Sequence, residues 1–259
     1  RDVADALLKI LRSEGIDVRL NTKVTQVTVE DGKKVLLTAS GERISADQLL
    51  VATGRRPATE GLDLGKAGVR TERGAVVVDR GLRTSSRTVW AAGDVTGGLQ
   101  FTHVAEYMAK TVLRNSLLPG TTKVDYGTVP WVTYTDPEIA HVGLLQAEAE
   151  QIGGTTYRYG FDDLDRAIVD GTARGFVKIS ADRKGRILGA TIMGSHAGDL
   201  LMPLVLAKKN GLKLSDISTT IFPYPTMVEG LKRTSDAYQR ARLEGMSGTI
   251  LRKVISWLK

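Results

Sequence analysis

TVWAAGDV, from Thr88 to Val95, is the stretch that decides the fold. A short apolar run ends on Gly93-Asp94. A buried strand stops in this way at the carboxyl edge of an open α/β sheet, where such folds place ligands. Gly93 permits close backbone approach, and Asp94 offers a short ionised acceptor for ligand hydroxyls. The same pair also suits a strand-end turn or a helix N-cap. On Gly-Asp alone, that plainer reading stands beside the ligand-binding one.

Just downstream, QFTHVA at Gln100 to Ala105 leads into a helical pattern over Thr102 to Asn115. Upstream, Arg1 to Gly15 carries Val3, Leu7, Leu8, Ile10 and Leu11 at helical spacing, with Gly15 as C-cap. The period then changes to two. Val18 to Glu30, Lys33 to Ser40 and Glu42 to Thr53 read as strands, turned at Asp31-Gly32 and Ser40-Gly41. Ala75 to Asp79 and Thr88 to Ala92 read as short strands. Leu117 to Asp125 reads as a linker.

From Tyr126 the pattern is α+β. Strands are expected at Val129 to Thr135, Thr155 to Phe161, Gly175 to Ser180 and Ile187 to Met193, the last two joined by a hairpin over Asp182 to Gly185. Helices are expected at Leu144 to Gln151, Asp199 to Asn210 and Thr226 to Leu243. Asp199 at one end and Lys208 and Lys209 at the other suit the helix dipole.

Composition narrows the function classes. The chain has 259 residues, 42% hydrophobic and 25% charged, as in an ordinary globular protein long enough to bury a real core. It holds no cysteine, which removes disulfides, thiolate metal sites and thiol nucleophiles, and fits a reducing, cytoplasmic setting. A net charge of +7 could suit nucleic acid, but no aromatic-interleaved basic patch or recognition helix accompanies it, so no nucleic-acid partner is expected. Neither a signal peptide nor a membrane-spanning run is evident. His103, His141 and His196 are too far apart for a local metal motif, and no metal is expected.

Three further runs carry chemistry. ATGRRP at Ala52 to Pro57 places Gly54 for close approach and Arg55 for phosphate or carboxylate. By itself GRRP is as readily a basic turn. TYTDPEIAHVG spans Thr133 to Gly143, and YPTMVE spans Tyr224 to Glu229. Tyr224-Pro225 with Glu229 is, by itself, equally a turn into a helix with an acid in its first turn.

Together these four runs resemble the C-terminal half of the FAD-dependent pyridine nucleotide–disulfide oxidoreductases, most closely their mercuric-reductase-like branch. The resemblance covers the chain to about Arg242 and implies an α/β and α+β architecture. Residues 1–56 would be the back of an NAD(P)-binding domain and residues 57–124 the back of an FAD-binding domain, both Rossmann-like portions. Residues 125–245 would be an antiparallel dimerisation domain, followed by a basic amphipathic helix over 246–259. It implies that Asp94, with Gly93, takes an FAD ribityl hydroxyl. Phe101, Thr102, His103 and Val104 would lie against the isoalloxazine, and Gly54 and Arg55 at the return crossing between the nucleotide domains.

The family usually has His-Pro-Thr where this chain has Tyr224-Pro225-Thr226. There the His serves as acid/base and the Glu orients it. A phenol of pKa about 10 is a poor proton shuttle at neutral pH, so Tyr224 with Glu229 argues against a dihydrolipoamide or glutathione reductase. The resemblance also implies a homodimer whose C-terminal domain lends Tyr224 and Glu229 to the partner's site. The expected parent enzyme moves electrons from NAD(P)H to FAD, to a Cys pair, to substrate. This chain lacks GxGxxG and the terminal Cys pair of true mercuric reductases. It is therefore expected to contribute FAD contacts and the dimer interface without catalysis of its own. A plain dimerisation module is the alternative. The acceptor stays open among disulfide, metal ion and quinone, and the basic C-terminal helix could also touch an anionic membrane surface.

Overall fold

The computed structural model describes residues 1–244 and Ser256. Helix α1 (Asp2–Ser13) has Asp2 and Asp5 in its first turn and Arg12 in its last, matching the dipole. It stops where Gly15 takes φ 85°. Strands β1 (Val24–Glu30), β2 (Lys33–Thr38) and β3 (Arg43–Ala46) form an antiparallel meander. Asp31 and Gly32, both at positive φ, close the first hairpin and pair Glu30 with Lys33.

The apolar run LLVAT beyond β3 is not a strand. Leu50 and Val51 are 88% and 70% exposed. A buried strand needs a neighbour on its flank, and among the described residues none lies beside this run. Strands β4 (Thr71–Glu72) and β5 (Ala75–Val76) make a small ribbon. The expected strand over Thr88 to Ala92 is reduced to one bridge, Arg83 to Trp90. A 3-10 turn over Gly93–Thr96 precedes helix α2 (Thr102–Leu117). Leu82, Val104, Met108 and Val124 form a local core. Asn115 fastens it by donating to the carbonyls of Gly81 and Thr122 at 2.9 and 2.8 Å.

The second half is built on one antiparallel sheet of five strands: β6 (Pro130–Thr133), β7 (Glu138–Gly143), β8 (Thr155–Gly160), β9 (Phe176–Ala181) and β10 (Ile187–Gly194). Their spatial order is β6-β7-β10-β9-β8. Helices α3 (Gln146–Gln151), α4 (Asp165–Val169), α5 (Ala197–Lys209), α6 (Leu214–Thr219) and α7 (Glu229–Glu244) accompany the sheet. On one face Val142, Ile179 and Ile192 meet Leu201, Leu204 and Leu231 of the helices. On the other, Ile139, Phe176, Met193 and Trp131 meet Val3, Ala6, Leu7 and Ile10 of α1. Coverage on both sides explains why all six residues of β9 are buried.

β7, absent from the sequence expectation, is likewise central. Its pattern is continuous burial rather than alternation, which hides a strand from a period-two search. Among the described residues no helix is long and apolar enough to cross a membrane. The basic helix expected over 246–259 lies outside the described residues, Ser256 apart.

Candidate functional site

Gly93 takes φ +79°, which lets the chain turn sharply from Ala92 into the 3-10 turn that presents Asp94. A Cβ on Gly93 would lie 3.1 Å from the Ala105 Cβ, so the turn is pressed against α2. The Gly93 N–H donates to the Met108 sulfur at 3.4 Å. Arg55 comes to the same place from far away in sequence. Its Nη1 donates to Asp94 Oδ2 at 2.9 Å, and its Nη2 donates to the Gln100 carbonyl. The structure thus brings together Gly54-Arg55, Gly93-Asp94 and the start of α2. Arg55 and Asp94 are 60% and 46% exposed, so the pair is an accessible rim.

Helix α2 opens at Phe101 with no side-chain hydrogen bond to its first N–H groups. Those donors and the dipole favour an electron-rich group at this end. Thr102 is on the first turn, and Val104 is 1% exposed and packs inward. Phe101 and His103 stack at 5.3 Å. The His103 Nε2 is 2.9 Å from the Pro130 carbonyl, which ties α2 to β6. A groove of about 820 Å³ runs beside them, lined by Phe101, Thr102, His103, Trp131, Tyr134 and Met202 among others.

Tyr224 and Glu229 stand elsewhere, at the entry to α7. Tyr224 is 67% exposed and donates to Asp165 Oδ2 at 2.5 Å. Glu229 is buried and accepts from Arg233 at 2.7 Å. The two are therefore held by separate partners, and neither holds the other. The hydrogen bond to Asp165 and its charge raise the Tyr224 phenol above its ordinary value. The hydrogen bond to Glu229 likewise raises the Arg233 guanidinium.

Sequence reasoning missed Asp165 and Arg233. Arg233 lies one helical turn from Glu229 and was open to an i,i+4 search. Asp165 is 59 residues from Tyr224, and nothing local announces it.

The other histidines are accounted for. His141 is buried between Thr191 Oγ1 at 2.8 Å and the Gly143 carbonyl at 3.0 Å. Burial lowers its pKa, and the hydrogen bond to the Gly143 carbonyl opposes that shift. His196 caps α5 beside Asp199, 3.8 Å away. Among the described residues no His, Asp and Glu group could hold a metal.

The chain matches two domains of known proteins. Residues 1–109 match the pyridine nucleotide-disulphide oxidoreductase domain, and residues 129–235 match the dimerisation domain of the same enzymes. A mercuric reductase of Acidithiobacillus ferrooxidans is 39% identical over 242 residues, 92% of this chain and 44% of that protein. A dihydrolipoyl dehydrogenase of Thermus scotoductus is 38% identical, over 93% of this chain and 54% of its own. Among solved structures, the HOCl-induced flavoprotein disulfide reductase RclA from Escherichia coli superposes with a TM-score of 0.85 at 32% identity, over 91% of this chain and 55% of its own. The chain spans about half the length of these relatives.

Proposed function

Because the chain belongs to the pyridine nucleotide-disulphide oxidoreductases, on their mercuric-reductase-like side, we propose that it supplies flavin contacts and the subunit interface of an FAD- and NAD(P)H-dependent oxidoreductase. The observation that carries this reading is the Arg55–Asp94 pair at the uncapped start of α2. It joins two distant motifs at one accessible edge and leaves Asp94 Oδ1 to accept from a hydroxyl. That donor set fits FAD: a carboxylate for the ribityl chain, and backbone N–H groups with a helix dipole for the electron-rich end of the ring.

When bound, FAD supplies the two-electron chemistry between nicotinamide and acceptor. The chain's own residues bind and orient. Arg55 fixes the Asp94 carboxylate, and Gly54 and Gly93 keep the edge free of side chains. Phe101, Thr102 and His103 set the wall beside the ring, while Val104, expected there too, is packed behind them in the core with Leu82 and Met108. With no cysteine in the chain, the redox-active thiols of such an enzyme are not among its residues. Domain limits of 1–56, 57–124 and 125–245 suit this division of labour. In a homodimer formed through the last of these, exposed Tyr224, with Glu229 behind it, would face the partner's acceptor site. A cytoplasmic, reducing setting suits such a chain.

The test is a flavin titration. FAD added to the chain is expected to lose fluorescence on binding. Asp94→Ala is expected to weaken binding by about tenfold or more, the worth of one hydrogen bond to a charged group. Superimposable isotherms for the parent and variant chains would remove Asp94 from the site. No quenching by either would favour a dimerisation module that takes no flavin.

A further inference from the structure

Tyr224 and Glu229 have different partners, and the segment that partners Tyr224 is rigidly placed. Phe161 and Leu164, both essentially fully buried, anchor the turn from Phe161 to Asp165. A Cβ on Gly230 would lie 3.1 Å from the Phe161 ring and 3.8 Å from Leu164. The turn is thus packed directly on the first residues of α7, next to Glu229. From this platform two neighbouring acids of the chain's surface take two tyrosine hydroxyls. Tyr159 donates to the Asp163 main-chain carbonyl with the Asp163 carboxylate 3.1 Å from its hydroxyl, and Asp165 accepts from Tyr224 at 2.5 Å. Glu229 is withdrawn by Arg233.

We propose that Asp165 is the positioning residue of Tyr224, pinning the phenol proton inward so that the hydroxyl meets its target as an acceptor rather than a donor. The inference rests on Tyr224 being the residue presented to the partner's site. It assigns to Asp165, on α4, the orienting role that Glu229 would otherwise hold. An outward lone pair on a fixed phenol can receive a hydrogen bond, or approach a cation, without first breaking a contact. Donating outward would require giving up the Asp165 carboxylate. The charged groups facing the phenol are Asp165 from α4 and Glu229 and Arg233 from α7. The two acids raise its pKa, Asp165 the more, and Arg233 opposes them.

The experiment uses the full chain labelled with 3-fluorotyrosine and followed by fluorine NMR through a pH titration. Tyr224→Phe identifies the resonance by its loss. Asp165→Asn is expected to move the Tyr224 midpoint downward, and Asp165→Glu to return it toward the parent value. Asp163→Asn is expected to move Tyr159 and leave Tyr224 in place, and Glu229→Gln to move Tyr224 less than Asp165→Asn does. A Tyr224 midpoint unchanged in Asp165→Asn would overturn the proposal. So would an equal shift from Asp163→Asn or Glu229→Gln, because the effect would then be a general field. Since no flavin is needed, loss of this coupling and loss of flavin binding are read separately.

Discussion

Gly93 supplies a backbone turn, and Asp94 uses it to present a carboxylate. Gly93→Ala would force a side chain into φ +79°, 3.1 Å from the Ala105 methyl. A loss of about 1–3 kcal/mol is expected in chemical denaturation. Arg55→Ala should behave in the opposite way. Its pair with Asp94 is exposed on both sides, so stability should change by no more than about 1 kcal/mol, while flavin affinity falls. Equal losses of stability in the two variants would contradict this separation of roles. Among single residues the sequence was informative where a motif is contiguous. Gly93-Asp94 and Gly54-Arg55 each stand out as contiguous candidates, open to a plain turn as well as to a ligand edge, and their meeting is a tertiary fact. The Asp165–Tyr224 pair is tertiary too, and composition carries no trace of it.

Among elements, α1 tests how two halves of the chain are held together. Its apolar stripe lies on the sheet, and Asp2 reaches Lys178 at 2.8 Å. Lys178 is 6% exposed and Asp2 56%, so the ammonium is the member that suffers if the pair is broken. Burial pushes the Asp2 carboxyl up, but hydrogen bonding and charge from Lys178 outweigh this and hold it below the ordinary range. A depressed carboxyl stabilises above its unfolded pKa of about 4 and stops doing so as pH falls through the lower folded value. Docking of α1 should therefore weaken in acid.

Trp131 packs against α1 and can report this by its emission in a chain whose Trp90 and Trp257 are replaced by Phe. Asp2→Asn should cost about 1–2 kcal/mol at neutral pH, discounted for the exposed carboxylate, and flatten the acid response. An acid response that persists unchanged in Asp2→Asn would assign it elsewhere. Helix α1 was legible because its stripe is amphipathic. EIAHVG was not, because a strand covered on both faces has no polar side. LLVAT misled for the converse reason: an apolar β-branched run reads as buried whether or not a neighbour is present to pair with it.

For the whole molecule, residues 129–235 match a dimerisation domain, built on the antiparallel sheet at residues 130–194, and association with a second copy is the expected outcome. Sedimentation is expected to give twice the 28.0 kDa of one chain. A monomer at micromolar concentration would contradict that.

One consequence of α1 lying on the sheet concerns the order of events during synthesis. Asp2 and Lys178 are 176 residues apart, so helix α1 is synthesised long before the strands that shelter it. Until β9 and β10 are complete, Val3, Leu7 and Ile10 lack Phe176 and Met193, and closing so long a loop is entropically slow. The nascent chain thus carries an uncovered amphipathic helix for that interval. Such a helix invites chaperone capture, and truncation before β9 would leave it permanently without its seat.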